Sequence, residues 1–202
     1  MKPRPVLFLA VLSLLVPVAL DSGAAHAQDI GLPQLFRLNL PDVDEPANAA
    51  MDKLAEGMSL TITALNAGKK AKVPAAPEYG ERALQDFDQA RETLMTVSLK
   101  IPLRKVNAEV IRKSQYAKAY DELVIALREA GYPEPTDSKS FFGILIGITD
   151  HYTSDLKQLM SPPSGLQGQQ AMVSAFLDLI KQKILLERIG STSGIITIAM
   201  QG

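Results

Sequence analysis

The chain has 202 residues, with 21 Lys+Arg against 22 Asp+Glu, two His, and neither Cys nor Trp. Without cysteine there is no disulfide, thiolate metal site, iron–sulfur cluster or cysteine nucleophile, and a formal net charge of -1 argues against a general nucleic-acid binder, which needs a basic face to neutralise phosphates. Hydrophobic content of 47% with 21% charged residues belongs to a globular chain of one domain.

Residues 1–27 read as an address. Lys2 and Arg4 precede an apolar run from Val6 to Leu20 that only Ser13 and Pro17 interrupt, and Ala25-His26-Ala27 forms an A-x-A cleavage signature. A run of about 15 apolar residues is short of the roughly 20 that span a bilayer. The expectation is a signal peptide cleaved after Ala27, a periplasmic or secreted destination, and no transmembrane span after cleavage.

Residues 28–46 read as an extended arm. Pro33, Pro41 and Pro46 lie too close together for a helix, yet Leu32, Leu35, Phe36, Leu38 and Leu40 are apolar. A free tail has no use for so many apolar side chains, so the arm is expected to pack on the body or on a partner.

From residue 47 to 189 the spacing predicts a helical bundle. Ala47, Met51, Leu54, Met58, Ile62 and Leu65 recur at three- and four-residue intervals before Gly68, a natural terminator. A second helix is expected over 81–100, with Leu84, Phe87, Leu94 and Ser98 on one stripe and Pro102 stopping it. A third, over 103–130, carries Val106, Val110, Lys113, Ala117, Tyr120, Val124 and Leu127 in heptad steps and closes at Gly131-Tyr132-Pro133. The fourth starts near 136–140 with Phe141, Leu145, Ile148, Tyr152, Leu156 and Leu159, and Ser161-Pro162-Pro163 ends it. Its Gly143 and Gly147 are expected to let backbones approach closely. Ser164 and Gln167 suggest a capping box opening a fifth helix to about Ile189, broadly apolar through Met172, Phe176, Ile180 and Ile184 and hence central. The tail, 190–202, carries no charge and has the β-branched run Ile195-Ile196-Thr197-Ile198; a strand, a helix and a docking tail all remain open. The sum is an all-α antiparallel bundle of about five helices with an extended N-terminal arm and an uncharged C-terminal tail.

Residues for chemistry are few. After processing, His151 is the single histidine, and Asp155 lies one helical turn on. The pair suits an oriented general base or two ligands of a metal. No third member stands at a diagnostic spacing, and an exposed surface pair is the simpler reading. Gly-rich phosphate loops, H-E-x-x-H and G-x-S-x-G are missing from the sequence, so neither catalytic residues nor a metal or cofactor is assigned. Arg91 and Lys113 fall on otherwise apolar seams, and Glu187 continues the stripe of the fifth helix. Charges there are costly unless they pair, snorkel outward or wall a pocket for a small anion.

The run Asp88-Gln89-Ala90-Arg91-Glu92 is similar to an acidic-x-x-Arg-Glu stretch of secreted chorismate mutases. That resemblance covers five residues and implies a helical enzyme holding a dianion between helices with Arg and Lys; the first helix has no comparable arginine on its inner stripe. The layout of signal, helical body and apolar ends also resembles helical periplasmic components of secretion or conjugation machines. The favoured expectation is an exported, non-catalytic binding or assembly module acting through protein–protein contacts. Its partner is an envelope or secreted protein, or a second copy, met by Leu35, Phe36, Ile195, Ile196, Ile198 and Met200. The alternative is a small-anion-binding bundle with Arg91, Lys113 and Glu187 around an interhelical pocket.

Overall fold

The computed structural model describes residues 43–201, apart from some side chains, among them those of Ile195 and Ile198. The signal peptide assigned to 1–27 and the arm as far as Asp42 lie outside the described residues. Within them the fold is all-α: α1 (Asp44–Ala71), α2 (Pro77–Lys100), α3 (Ala108–Arg112), α4 (Ala117–Glu129), α5 (Ser138–Met160) and α6 (Gly165–Gln201).

Each boundary has a local cause. Pro46 lies in the first turn of α1, where a missing N–H breaks no helical bond, so the helix starts at Asp44, before the expected end of the arm. It passes Gly68 and ends on Lys72, which takes the left-handed conformation with φ 59°. Gly68 serves closure differently: a Cβ there would meet the Val73 carbonyl oxygen at 2.7 Å, where the chain folds back after the helix. Pro77 at the first turn opens α2 four residues before the expected start. Asp137 caps α5 by accepting from the Ser140 N–H at 2.8 Å, and the Ser140 side chain reciprocates.

The expected third helix, 103–130, is not continuous. Residues 102–107 are tied to the start of α5 instead: Val106 N–H donates to the Thr136 carbonyl at 2.8 Å, Ser138 N–H to the Arg104 carbonyl at 2.9 Å, and Ser138 Oγ to the Pro102 carbonyl at 2.8 Å. Asn107 then caps a single short helix, α3. Ser114 breaks the chain again, its hydroxyl donating to the Ile111 carbonyl at 2.7 Å and accepting from Tyr116 N–H at 3.1 Å. A serine that offers the backbone such local bonds competes with helix propagation. The seam consequently holds in α4, where Tyr120, Val124 and Leu127 are buried, and fails in α3, where Val110 is 59% exposed.

Helices α1, α2, α5 and α6 run up and down in sequence order, each packed on the next, with α3 and α4 laid against α6. The α1–α2 contact is close because Gly57 presents no side chain; a Cβ there would lie 2.5 Å from the Phe87 ring. Phe87 continues inward to Tyr152 of α5, ring centroids 5.3 Å apart. On the other side, Arg112 links α3 to Asp121 at 3.1 Å and Glu134 at 2.9 Å, while its guanidinium stacks over Tyr120, 5.5 Å from the ring centre. Tyr120 Oη donates to the same Glu134 at 2.9 Å. An Arg188–Glu122 ion pair holds α4 to α6.

Candidate functional site

The stripe that runs up α1 through Val43, Ala47, Met51 and Leu54 is buried. Farther along, Met58, Thr61, Ile62 and Leu65 of α1 border a trough of about 280 Å³. Phe176, Leu179, Ile180 and Ile184 of α6 form the opposite wall, and Tyr152 of α5 forms the floor. Most of the lining side chains are apolar. Thr61, the polar exception on the α1 side, turns its hydroxyl away from the space to its own helix, donating to the Gly57 carbonyl at 2.8 Å. Tyr152 Oη is likewise committed, to the Leu179 carbonyl at 3.3 Å, and full burial raises its pKa. At one end, Lys183 and Glu187 pair with each other at 2.5 Å.

The trough opens to solvent, because Ile184 lines it and is still 48% exposed. Leu177, 42% exposed, lies on the same side of α6, one turn along from half-buried Val173. Val173, Leu177, Ile180 and Ile184 follow steps of four, three and four, the spacing of a helix face that packs against another element. Here no described element covers it fully.

Beside the trough, between α5 and α6, lies a polar cluster. Tyr132, in the loop before α5, donates to His151 Nδ1 at 2.6 Å, with the imidazole taken as the Nε2–H tautomer. Gly147 makes room for that ring, since a Cβ there would stand 2.9 Å from Tyr132 Cε1. Gln182, 4% exposed, brings its amide nitrogen to within 3.3 Å of the same Nδ1, while its Oε1 is buried without a partner. Burial first, then Asp150 and Asp155, raises the pKa of Tyr132, so its proton stays on the phenol. Asp155 is half-buried; burial first, and the nearby Asp178 second, push its carboxyl up to about 6.

The residues singled out from sequence fall into separate places. Arg91 is off the inner stripe of α2, which is Ala83, Phe87, Ala90, Leu94 and Val97; its side chain is 40% exposed and pairs with Asp150 at 2.6 Å. Lys113 is exposed at the C-cap of α3, and so is not on a helix seam. Neither lines the trough, while Glu187 does. The bonds of His151 run to Tyr132 and Gln182 rather than to Asp155. The tail continues α6 to Gln201 as helix, with Ile196 and Met200 buried; the side chains of Ile195 and Ile198, and the whole of Leu35 and Phe36, lie outside the described residues.

Among the described residues, no group of three or more His, Cys, Asp or Glu is placed to hold a metal ion, and no helix is long and apolar enough to cross a membrane. Comparison with the models of known protein families, with curated proteins and with solved structures gave no match.

Proposed function

We propose that this chain is an exported, non-catalytic helical binding module that acts through protein–protein contacts, its partner another protein of the envelope or secreted set. The observation that carries this reading is the trough between α1 and α6. It is a solvent-open surface lined by large apolar side chains, whose polar groups are already bonded to the protein itself. An apolar concavity of that kind suits the face of an amphipathic segment and offers a polar substrate few groups to orient it. Leu177 and Ile184 extend the surface outward. Export is supported by the charged n-region, apolar core and Ala25-His26-Ala27 of the sequence.

The tail contributes less to this reading than its composition suggested, because Thr192, Ile196 and Met200 are turned into the bundle. The alternative, an anion pocket walled by Arg91 and Lys113, draws no support from the geometry: Arg91 is paired with Asp150, and Lys113 is exposed at the end of α3.

The test places a photo-crosslinking amino acid at Leu177 or at Ile184, with Leu99, 80% exposed on α2, as the control. Irradiation in the native host should yield the same polypeptide adduct from the two α6 positions and not from Leu99. No adduct at the α6 positions, or the same adduct from all three, would overturn the reading. Intact-mass measurement of the exported protein should show a chain starting at Gln28, and a full-length chain recovered in membranes would remove the exported half of the proposal.

A further inference from the structure

We infer that the end of the bundle where α2 stops is a lipid-docking tip: Leu99 and Leu103 enter the interface of an anionic membrane, and Lys100, Lys105 and Lys139 meet its headgroups. This goes beyond the reading of the trough and does not rest on it.

Leu99, in the last turn of α2, is 80% exposed, and Leu103, four residues on, is 65% exposed. This is not the exposure of a fraying end. Ile101, between the two leucines, is buried, and the backbone on each side of Leu103 is tied to the start of α5. The Pro102 carbonyl accepts from Ser138 Oγ at 2.8 Å, Arg104 N–H donates to the same oxygen at 3.1 Å, and the Arg104 carbonyl accepts from Ser138 N–H at 2.9 Å. The leucines therefore stand out from a braced turn. Single apolar side chains scattered over a surface need no explanation, whereas two on one rigid turn, set among cations, have the composition of a membrane-interface contact.

The charge around them selects the surface. From Thr93 to Ala108 the sequence has no acid and three cations, Lys100, Arg104 and Lys105. Lys100 and Lys105 are exposed, and exposed Lys139 joins them, because the Ser138 bonds bring the start of α5 against this turn. The neighbouring anion, Asp137, is engaged as the cap of α5, its carboxylate accepting from Ser140 N–H at 2.8 Å. The other acids at this end, Asp44 and Glu45, belong to the first turn of α1. Lysine stems can lie beside the leucines while their ammonium groups stay at headgroup level, and each cation close to an anionic leaflet adds to the binding. A protein face would need a shaped complement; a leaflet accepts any apolar pair flanked by cations. Leu166 shows the same exposure without the charge. It is 76% exposed at the start of α6, and no charged residue occurs from Gln158 to Leu177. It also stands at the opposite end of the bundle, since Met160, which closes α5, packs against Gly80 near the start of α2.

Sedimentation with lipid vesicles tests the tip, using protein purified from the exporting host. Binding to vesicles of equal parts phosphatidylglycerol and phosphatidylcholine should be at least tenfold tighter than to phosphatidylcholine alone, and added salt should weaken it. Leu99→Asn with Leu103→Asn should reduce binding to the mixed vesicles at least tenfold. Lys100→Gln with Lys105→Gln should remove most of the preference for phosphatidylglycerol, and Leu166→Asn should change neither quantity. The substituted side chains are all exposed, so each variant should keep the denaturant midpoint of the unmodified protein. Absent binding to the mixed vesicles, undiminished binding by the leucine pair, an equal loss in Leu166→Asn, or a preference kept by the lysine pair would overturn the inference. A photo-crosslinking amino acid at Leu99 gives a second measurement that needs no loss of binding. It should label phospholipid in the mixed vesicles and in the native host. A polypeptide adduct there, to another protein or to the chain itself, would assign the tip to a different occupant and overturn the inference as well. The trough is read at Leu177 and Ile184, so either reading can fail while the other stands.

Discussion

The two flanks of α1 are built on opposite plans. Toward α2 the contact is dry and tight: Gly57 has no side chain, the Phe87 ring fills its place, and Tyr152 backs the ring 5.3 Å away. Toward α6 the same helix meets a gap, lined by Ile62 and Leu65 on one side and Ile180 and Ile184 on the other. Side chains on both flanks are apolar, so composition does not separate them. What separates them is whether a described element fills the space, and stability collects on the first flank while open apolar surface collects on the second.

The largest effect should come from breaking the tight flank. Phe87 is fully buried, and Phe87→Ala should cost about 3–5 kcal/mol of unfolding free energy, the range for a large aromatic deleted from a packed core. Ile184→Ala, on the open flank, should cost less than about 1 kcal/mol, because its side chain is already half in water. Urea unfolding of the two variants reads the contrast directly. Equal costs would mean that the two flanks are packed alike.

How much of this was legible in the sequence depends on how the apolar positions are distributed. The stripe of α1 was readable because Ala47, Met51, Leu54, Met58, Ile62 and Leu65 alternate with polar residues. In α2 the expected stripe is only partly the buried one: Phe87 and Leu94 belong to both, whereas Leu84 and Ser98 stand one position past Ala83 and Val97. The buried one includes Ala83 and Ala90, which carry little hydrophobic signal, and the neighbouring Arg91 was consequently taken for a seam residue. The break at Ser114 was hidden by an unbroken heptad pattern: periodicity registers apolar spacing, and it is blind to the Thr136 and Ser138 bonds that hold 102–107 extended from thirty residues away. The trough is almost hidden in the sequence. α6 is apolar around most of its circumference, and such a helix does not reveal which side its neighbours leave uncovered. One signal was present: Val173, Leu177, Ile180 and Ile184 repeat at packing intervals on a side distinct from Met172 and Leu186.

Next in size comes the other end of α6, which sharpens the comparison within a single helix. Ile196 is 1% exposed, so Ile196→Ala should cost about 2–5 kcal/mol, the range for large-to-small substitutions in cores. Deletion of 191–202 should lower the denaturant midpoint at least as far and leave the association state unchanged. A truncated chain of undiminished stability would place that end of the helix with the open flank instead. Smaller again are the two cations read as pocket walls. Arg91→Met and Lys113→Met should each change stability by less than about 1 kcal/mol, as expected for an exposed ion pair and an exposed cap residue. Small dicarboxylates should produce no thermal shift that either substitution abolishes. A shift lost in both variants would restore the anion-binding alternative.

The smallest effect concerns Asp155, between α5 and α6 beside the trough. In the folded chain burial and Asp178 push its carboxyl up to about 6, while in the unfolded chain it titrates near the ordinary aspartate value of about 4. Between those two values the folded state holds a proton that the unfolded state has released, so stability falls as pH rises through that window. Above about 6 both states are ionised, and the cost of a charged, half-buried carboxylate is then fully present. Asp155→Asn removes that charge and keeps the shape. It should leave stability near pH 4 almost unchanged and raise it at pH 7 by about 1 kcal/mol or less, since solvent screens a group that is only half covered. Chemical denaturation of both proteins at pH 4, 5, 6 and 7 measures the difference. Parallel pH profiles would show that Asp155 is solvated as freely in the folded chain as in the unfolded one, and that the α5–α6 seam is as open to water as the trough beside it.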